Sequence, residues 1–289
     1  MKRVVGLIGF TAAIVLVMGM APGVSASSGV CSNRDTELKT TDGWLLLGPS
    51  GGRVETFEQS ADKKIYYLGS AYGGIYRSLD RGKSWQYYSY TTDNQILSRI
   101  QELKLINGTL FAATSADGIF VLEGDRWKNV LKAQASDIFT ALGYDPQHRN
   151  ILALNMDKGL LVSQEGKQWI LLPSSNQGGA NSALFVTQKG SILVGGGSGI
   201  AQSTDGGITW TKIFDKSTLS ITEDEEGGIY VKTNDALYKK DAKEEIFIKL
   251  IGGLYSNGKN SVAYANGVLI TPGGASDYIV SRDKGKTVV

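Results

Sequence analysis

A polar turn that closes on tryptophan recurs along this chain at almost constant intervals. That regularity restricts the fold more than any other feature of the sequence. "SLDRGKSW" at 78–85 returns as "STDGGITW" at 203–210, and "SRDKG" at 281–285 opens a third copy. Shortened copies, "VLEGDRW" at 121–127 and "SQEGKQW" at 163–169, fill the gaps, along with a worn one, "KKDAKEEI" at 239–246. The closing residues Trp85, Trp127, Trp169, Trp210, Ile246 and Val288 stand 42, 42, 41, 36 and 42 positions apart.

The same pattern recurs upstream of each turn. A short apolar run such as "LFAATS" or "ILALNM" is followed by a tight turn and a second run such as "DGIFVL" or "KGLLVS". An opening strand such as "FTALGYD" precedes them and ends in a polar turn. Three or four short strands in about 42 residues is the period of propeller blades. Outside the first 26 residues no window carries helical periodicity. The fold expected is all-β, a six-bladed β-propeller. "TTDGWLLLG" at 40–48 supplies an apolar strand, Trp44 to Leu47, that belongs to no unit. It is expected to close the ring as the outermost strand of the sixth blade, since pairing the two ends leaves no unpaired edge. The alternative is a seven-bladed ring whose last blade is missing. The division expected is a signal peptide over 1–26, a tail over 27–42 and the propeller over 43–289.

The chemistry of the turn explains its composition. Ser78 and Asp80 can accept backbone N–H groups inside their own loop, and Gly82 supplies a backbone conformation costly for other residues. Trp85 then wedges an indole between neighbouring sheets. Ser203, Asp205, Gly207 and Trp210 repeat the set, as do Ser281, Asp283 and Gly285 with Val288 in place of the tryptophan. These aspartates are read as structural staples, with no catalytic role.

The S-x-D-x-G-x-x-W residues resemble the Asp-box or BNR repeat of sialidases, sortilin-type receptors, xyloglucanase-type glycosidases and the photosystem II assembly factor. The resemblance covers nearly all of the chain that follows residue 26. It is specific for fold and unspecific for activity. It implies ligands on the face opposite the Asp-box turns, around the channel mouth. A sialidase implies three arginines clamping a carboxylate, yet only Arg53 and Arg99 fall near that mouth, so sialidase activity is not expected.

Composition narrows the remaining choices. Lys2 and Arg3, the apolar run Val4 to Met20 and "VSA" at 24–26 have the form of a cleaved secretory signal. A retained membrane anchor is the other reading. Cleavage leaves 28 basic and 28 acidic residues, which argues against nucleic acid, whose phosphates call for a basic surplus. One His148 and one Cys31 exclude most His or Cys cluster chemistry, and no disulfide can form within the chain. No phosphate loop or zinc signature is readable, so no cofactor or metal is expected.

The mouth carries the candidate site. Loops before the third strand present Asp117, Asp157, Asp235 and Asp277, with Tyr72 and Ser198 in the corresponding loops of two other blades. Arg53, Arg99 and Asp137 precede innermost strands. Arg53 and Arg99 with Asp137 and the loop aspartates would form a mixed-charge ring for a polyhydroxyl or charged ligand. Asp before Gly also favours turns for purely local reasons. The bland readings extend to "EDEEGG" at 223–228, a solvated hairpin turn, and to His148, an exposed turn residue. Tyr87, Tyr88 and Tyr90 are either a glycan platform or an ordinary outer strand. The function expected is an exported, monomeric binding or scaffolding module, secreted or in the cell envelope, for a protein or an extracytoplasmic polysaccharide. The alternative is a glycosidase or lyase using mouth carboxylates.

Overall fold

The computed structural model describes residues 54–72, 74–97, 99–173, 179–254, 262–273 and 278–287. Residues 1–53 lie outside them, and with them the expected signal, tail and closing strand, and Arg53. No helix occurs among the described residues, and none is long and apolar enough to cross a membrane. The chain forms six antiparallel sheets, each a meander that steps from an innermost to an outermost strand.

Blade 1 holds β1 (Val54–Gln59), β2 (Tyr66–Ser70), β3 (Gly74–Ser78) and β4 (Gln86–Tyr87). Blade 2 holds β5 (Ile100–Ile106), β6 (Thr109–Thr114), β7 (Gly118–Glu123) and β8 (Arg126–Lys132). Blade 3 holds β9 (Phe139–Asp145), β10 (Asn150–Asn155), β11 (Gly159–Ser163) and β12 (Ile170–Leu171). Blade 4 holds β13 (Ala183–Val186), β14 (Ile192–Gly196), β15 (Gly199–Ser203) and β16 (Thr211–Phe214). Blade 5 holds β17 (Thr218–Glu223), β18 (Ile229–Thr233), β19 (Ala236–Lys240) and β20 (Ile248–Gly252). Blade 6 shows β21 (Ala263–Ala265), β22 (Val268–Pro272) and β23 (Tyr278–Ser281).

The second strand of a blade is packed on both faces, so its sequence is a continuous apolar run with no alternation. Every residue of β14 and β18 is buried, and all but the first of β6 and β10. The cores accordingly lie between blades. Tyr67 and Ile75 meet Leu103 and Phe120 between blades 1 and 2, and Leu152 and Leu160 meet Ile192 and Val194 between blades 3 and 4. Corresponding clusters separate blades 2 from 3, 4 from 5 and 5 from 6.

An innermost strand has one unpaired edge, and buried backbone donors there need acceptors. Side chains of the preceding blade provide several. Thr56 Oγ1 accepts from Leu103 N–H at 3.1 Å, Glu58 Oε2 from Leu105 N–H at 3.0 Å and Glu102 Oε2 from Leu142 N–H at 3.2 Å. Ser220 Oγ accepts from Val262 N–H at 3.2 Å. Blade 2 departs from the pattern at its outer rim. The segment after β4 folds over β8, where Thr92 N–H donates to Trp127 O and Trp127 N–H to Tyr90 O.

Candidate functional site

The turns that follow the third strands of blades 1, 4 and 6 share one hydrogen-bond plan. Ser78 Oγ accepts from Gly82 N–H at 2.7 Å and donates to Asp80 Oδ1 at 2.7 Å. Asp80 in turn accepts from Ser84 N–H at 2.8 Å and Ser84 Oγ–H at 2.6 Å. Ser203, Asp205, Gly207 and Thr209 repeat this geometry, as do Ser281, Asp283, Gly285 and Thr287. Trp85 and Trp210 each donate their indole N–H to the turn glycine's carbonyl, at 3.2 and 3.0 Å.

These bonds favour the ionised carboxylate. The Ser84 hydroxyl and N–H hold Asp80 down at about 2, and Thr287 does the same for Asp283, at about 2. Asp205 is lowered further, chiefly by Thr209. Folded-state values below the ordinary carboxylate range mean stabilisation that is full above about pH 4 and fades as pH falls through about 2. The urea midpoint should therefore decline across that window, and Ser84→Ala should move part of the decline to higher pH. A midpoint that stays flat from about pH 4 to 2 would remove the aspartates from the account of stability.

On the opposite face lie the turns between second and third strands and the links between blades. The turns are capped by the residue that ends the second strand. Thr114 Oγ1 accepts from Asp117 N–H and Gly118 N–H, both at 2.9 Å, and Asn155 Oδ1 accepts from Asp157 N–H and Lys158 N–H at 3.1 and 3.0 Å. Asp117 and Asp157 are thereby carried on the surface of their loops, both exposed. Asp235 accepts from Thr233 Oγ1 at 3.0 Å. Tyr72 stands 80% exposed at the tip of the blade 1 turn. Arg99 is exposed with φ of 52°, and its carbonyl accepts from Ser115 N–H at 3.1 Å. Arg53 and Asp277 lie outside the described residues.

Asp137 differs from the other candidates because it is buried. Lys158 Nζ sits 2.6 Å from its Oδ1, Asn155 Nδ2 donates to the same oxygen at 2.9 Å, and Gln134 N–H donates to Oδ2 at 2.9 Å. Burial works to raise its pKa, but these donors outweigh it and keep the carboxyl ionised. The result pins the link between blades 2 and 3 to the turn of blade 3. Neither Lys158 nor Asn155 was singled out from sequence. The recurrent polar residue at the end of the second strand was the available signal.

Two more features escaped sequence reasoning. The innermost strands of blades 1, 2, 3 and 5 are bulged near this face, with Glu55, Gln101, Thr140 and Leu219 as the extra residues. Such bulges re-aim side chains at a strand end. Lys232, at 0% exposure, donates to Thr233 O at 2.6 Å, and burial pushes its pKa down against the opposing charge of Asp235.

On the face of the serine–aspartate–glycine turns, His148 Nδ1 lies 2.6 Å from Oδ2 of fully buried Asp145, and its ring abuts Gly206 of the blade 4 turn. In "EDEEGG", Asp224 is 1% exposed, a correction to the solvated turn read from sequence. Its Oδ1 accepts from the N–H groups of Glu226 and Gly228, which makes the aspartate an anchor of the hairpin. Among the described residues no group of three or more His, Cys, Asp or Glu is placed to hold a metal. Tyr88 is buried, whereas Tyr87 and Tyr90 are half-exposed and meet edge to face at 84°, so they do not form one flat platform.

Six meander sheets, with cores between successive blades, define a β-propeller of six blades. No family model matches the chain, and no curated protein matches it. Among solved structures it is similar to the extracellular domain of the two-component protein BT3049 from B. thetaiotaomicron. That match has a TM-score of 0.65, 14% identity, and covers 81% of this chain and 34% of that one. It is also similar to virginiamycin B lyase from Staphylococcus aureus (TM-score 0.63, 11% identity, 78% and 79% covered). A third likeness is to YCF48 from Cyanidioschyzon merolae (TM-score 0.59, 15% identity, 81% and 83% covered). At such identities the likeness shows the fold alone. The chain spans about a third of the length of the two-component extracellular domains it matches.

Proposed function

We propose that this is an exported, non-catalytic propeller of the Asp-box type. Its face that bears the turns between second and third strands binds a protein or an extracytoplasmic polysaccharide. The observation that carries the reading is the state of the acids near that face. Asp137 is held by Lys158, Asn155 and a backbone N–H, while Glu102 holds the Leu142 N–H of the next blade. A general acid needs a proton to give, and a nucleophile needs a free lone pair aimed at its target. Carboxylates occupied in this way position loops. Arg99, Asp117 and Tyr72 supply exposed charge and hydrogen-bonding groups on the same face.

Export is supported by Lys2, Arg3 and the apolar run that precede "VSA". The repeated serine–aspartate–glycine turn supports the Asp-box assignment. The lyase among the similar structures argues less for an enzyme here, because its H-to-A variant is catalytically inactive. The single histidine of this chain is committed to Asp145 on the other face.

The test is a panel of neutral and charged polysaccharides offered to residues 27–289, with binding and chain length both measured. Binding without shortening of the polymer is expected. Replacing Arg53 and Arg99 together by alanine should weaken it by roughly tenfold, the effect of losing about 1.4 kcal/mol, with the melting temperature nearly unchanged. Release of shorter chains by the unaltered protein would make it an enzyme.

A further inference from the structure

The worn turn of blade 5 has lost more than its consensus. Lys239 stands where the intact copies have serine, Lys243 where they have glycine, and Ile246 where they have tryptophan. Lys239 Nζ lies 2.6 Å from Asp241 Oδ1, so it takes over the serine's role as donor to the turn aspartate. It also lies 3.9 Å from Oδ2 of Asp224 and 5.3 Å from the centre of the Tyr230 ring. Ile246 is 75% exposed and wedges nothing, whereas Trp85 and Trp210 are half-buried in their turns. A cleft of about 830 Å³ lies between this turn and the intact turn of blade 6.

The charges that line the cleft are unevenly spent. Asp224 takes two backbone N–H groups and the Tyr230 hydroxyl, and Asp241 takes Lys239. Glu226 takes Lys284 at 2.5 Å, and Asp283 is consumed within its own turn by Ser281 and Thr287. Glu244 is the one lining carboxylate without a side-chain partner among the described residues. Against it stand Lys243, Arg282 and Lys286, all exposed and with no side-chain partner among the described residues. Three uncommitted cations face one uncommitted anion, although the lining as a whole is balanced. Its volume falls in the range of clefts that take drug-sized ligands, well beyond a lone oxyanion.

We infer that this cleft on the Asp-box face, between blades 5 and 6, binds an anionic polymer through its carboxylate or phosphate groups. Lys243 on one wall and Arg282 and Lys286 on the other would hold successive oxyanions, with the guanidinium suited to bidentate contact. The inference does not rest on the mouth reading, since it concerns the opposite face and different residues.

The test titrates residues 27–289 with polygalacturonate, polyphosphate and uncharged dextran by calorimetry, at low and at high salt. Binding of at least one polyanion is expected, weakened by salt because the contacts are exposed, with none to dextran. The triple variant Lys243→Ala, Arg282→Ala and Lys286→Ala should lose about tenfold in affinity, in keeping with three surface ion pairs. These side chains are exposed and unpaired, so its thermal transition should match that of the unaltered protein. Lys212→Ala, an exposed lysine on the outer strand of blade 4, should leave polyanion binding unchanged, which ties the effect to this cleft and not to the loss of any surface cation. The preferred polymer identifies carboxylate or phosphate as the natural group. Binding of neither polyanion, or equal binding by the triple variant, would overturn the proposal.

Discussion

Trp127→Ala should lower the free energy of unfolding by about 3–5 kcal/mol, among the largest losses any single side-chain truncation here can produce. The indole is fully buried and packs with Leu97, Tyr88 and Phe120 where blade 1 hands over to blade 2. Its Nε1–H donates to Tyr88 O at 2.7 Å, so alanine leaves both a cavity and a buried carbonyl without its partner. The side chain also sits under the segment that covers the outer edge of β8, so its loss loosens a backbone seam as well. Urea unfolding of the variant should show the midpoint falling while the slope is nearly kept. Trp127→Phe should lie between, since it retains most of the volume and loses the bond. Trp85→Ala removes a half-buried indole that donates to its own turn, and its loss should be clearly smaller. Equal losses at Trp85 and Trp127 would contradict the asymmetry between the two turns.

That asymmetry runs against the sequence. Trp85 closes a complete serine–aspartate–glycine turn, while Trp127 closes the shortened "VLEGDRW". Consensus quality would rank Trp85 as the better wedge, yet Trp127 is the more deeply buried. The turn's hydrogen bonds span at most four residues, so serine, aspartate and glycine at fixed spacing were enough to read them. Burial of Trp127 depends on residues 88–97 folding back over the neighbouring blade, a contact with no period and no composition cue. The site divides the same way. Asp117 and Asp157 were legible as loop residues because the loop recurs. The pairing of Asp137 with Lys158 was not, because it joins an inter-blade link to a turn 21 positions later. Asp224 was misread for a related reason: four acids in a row suggest solvent, and only the N–H groups of the folded hairpin bury one of them.

Gly118→Ala should be almost as damaging as the loss of Trp127, although it adds one methyl group to the first residue of β7. At φ of 105° a Cβ there would fall 1.8 Å from Leu131 O and 2.8 Å from Ala133 N, both backbone atoms of the outer strand and its exit. Backbone cannot rotate aside as a side chain can. The β7–β8 register shifts between Ile119 and Phe120, and that irregularity brings the carbonyl so close. The same conjunction recurs in blade 4, where Gly199 has φ of 115°, its Cβ would meet Phe214 O at 2.0 Å, and the register shifts between Ile200 and Ala201. Blade 5 shows the alternative. Ala236 begins β19 without a positive φ, and its turn is capped over three residues, from Thr233, where blade 2 spans four from Thr114. Left-handed strain of about 1–2 kcal/mol and displacement of the outer strand, about 1–3 kcal/mol more, add to a loss near 3 kcal/mol for Gly118→Ala. Gly108→Ala is the control: φ is 80° but nothing lies within 4 Å of the new atom, so only the strain should register, at about 1 kcal/mol. If the two variants unfold at the same urea concentration, backbone approach is not what fixes glycine at the start of the third strand.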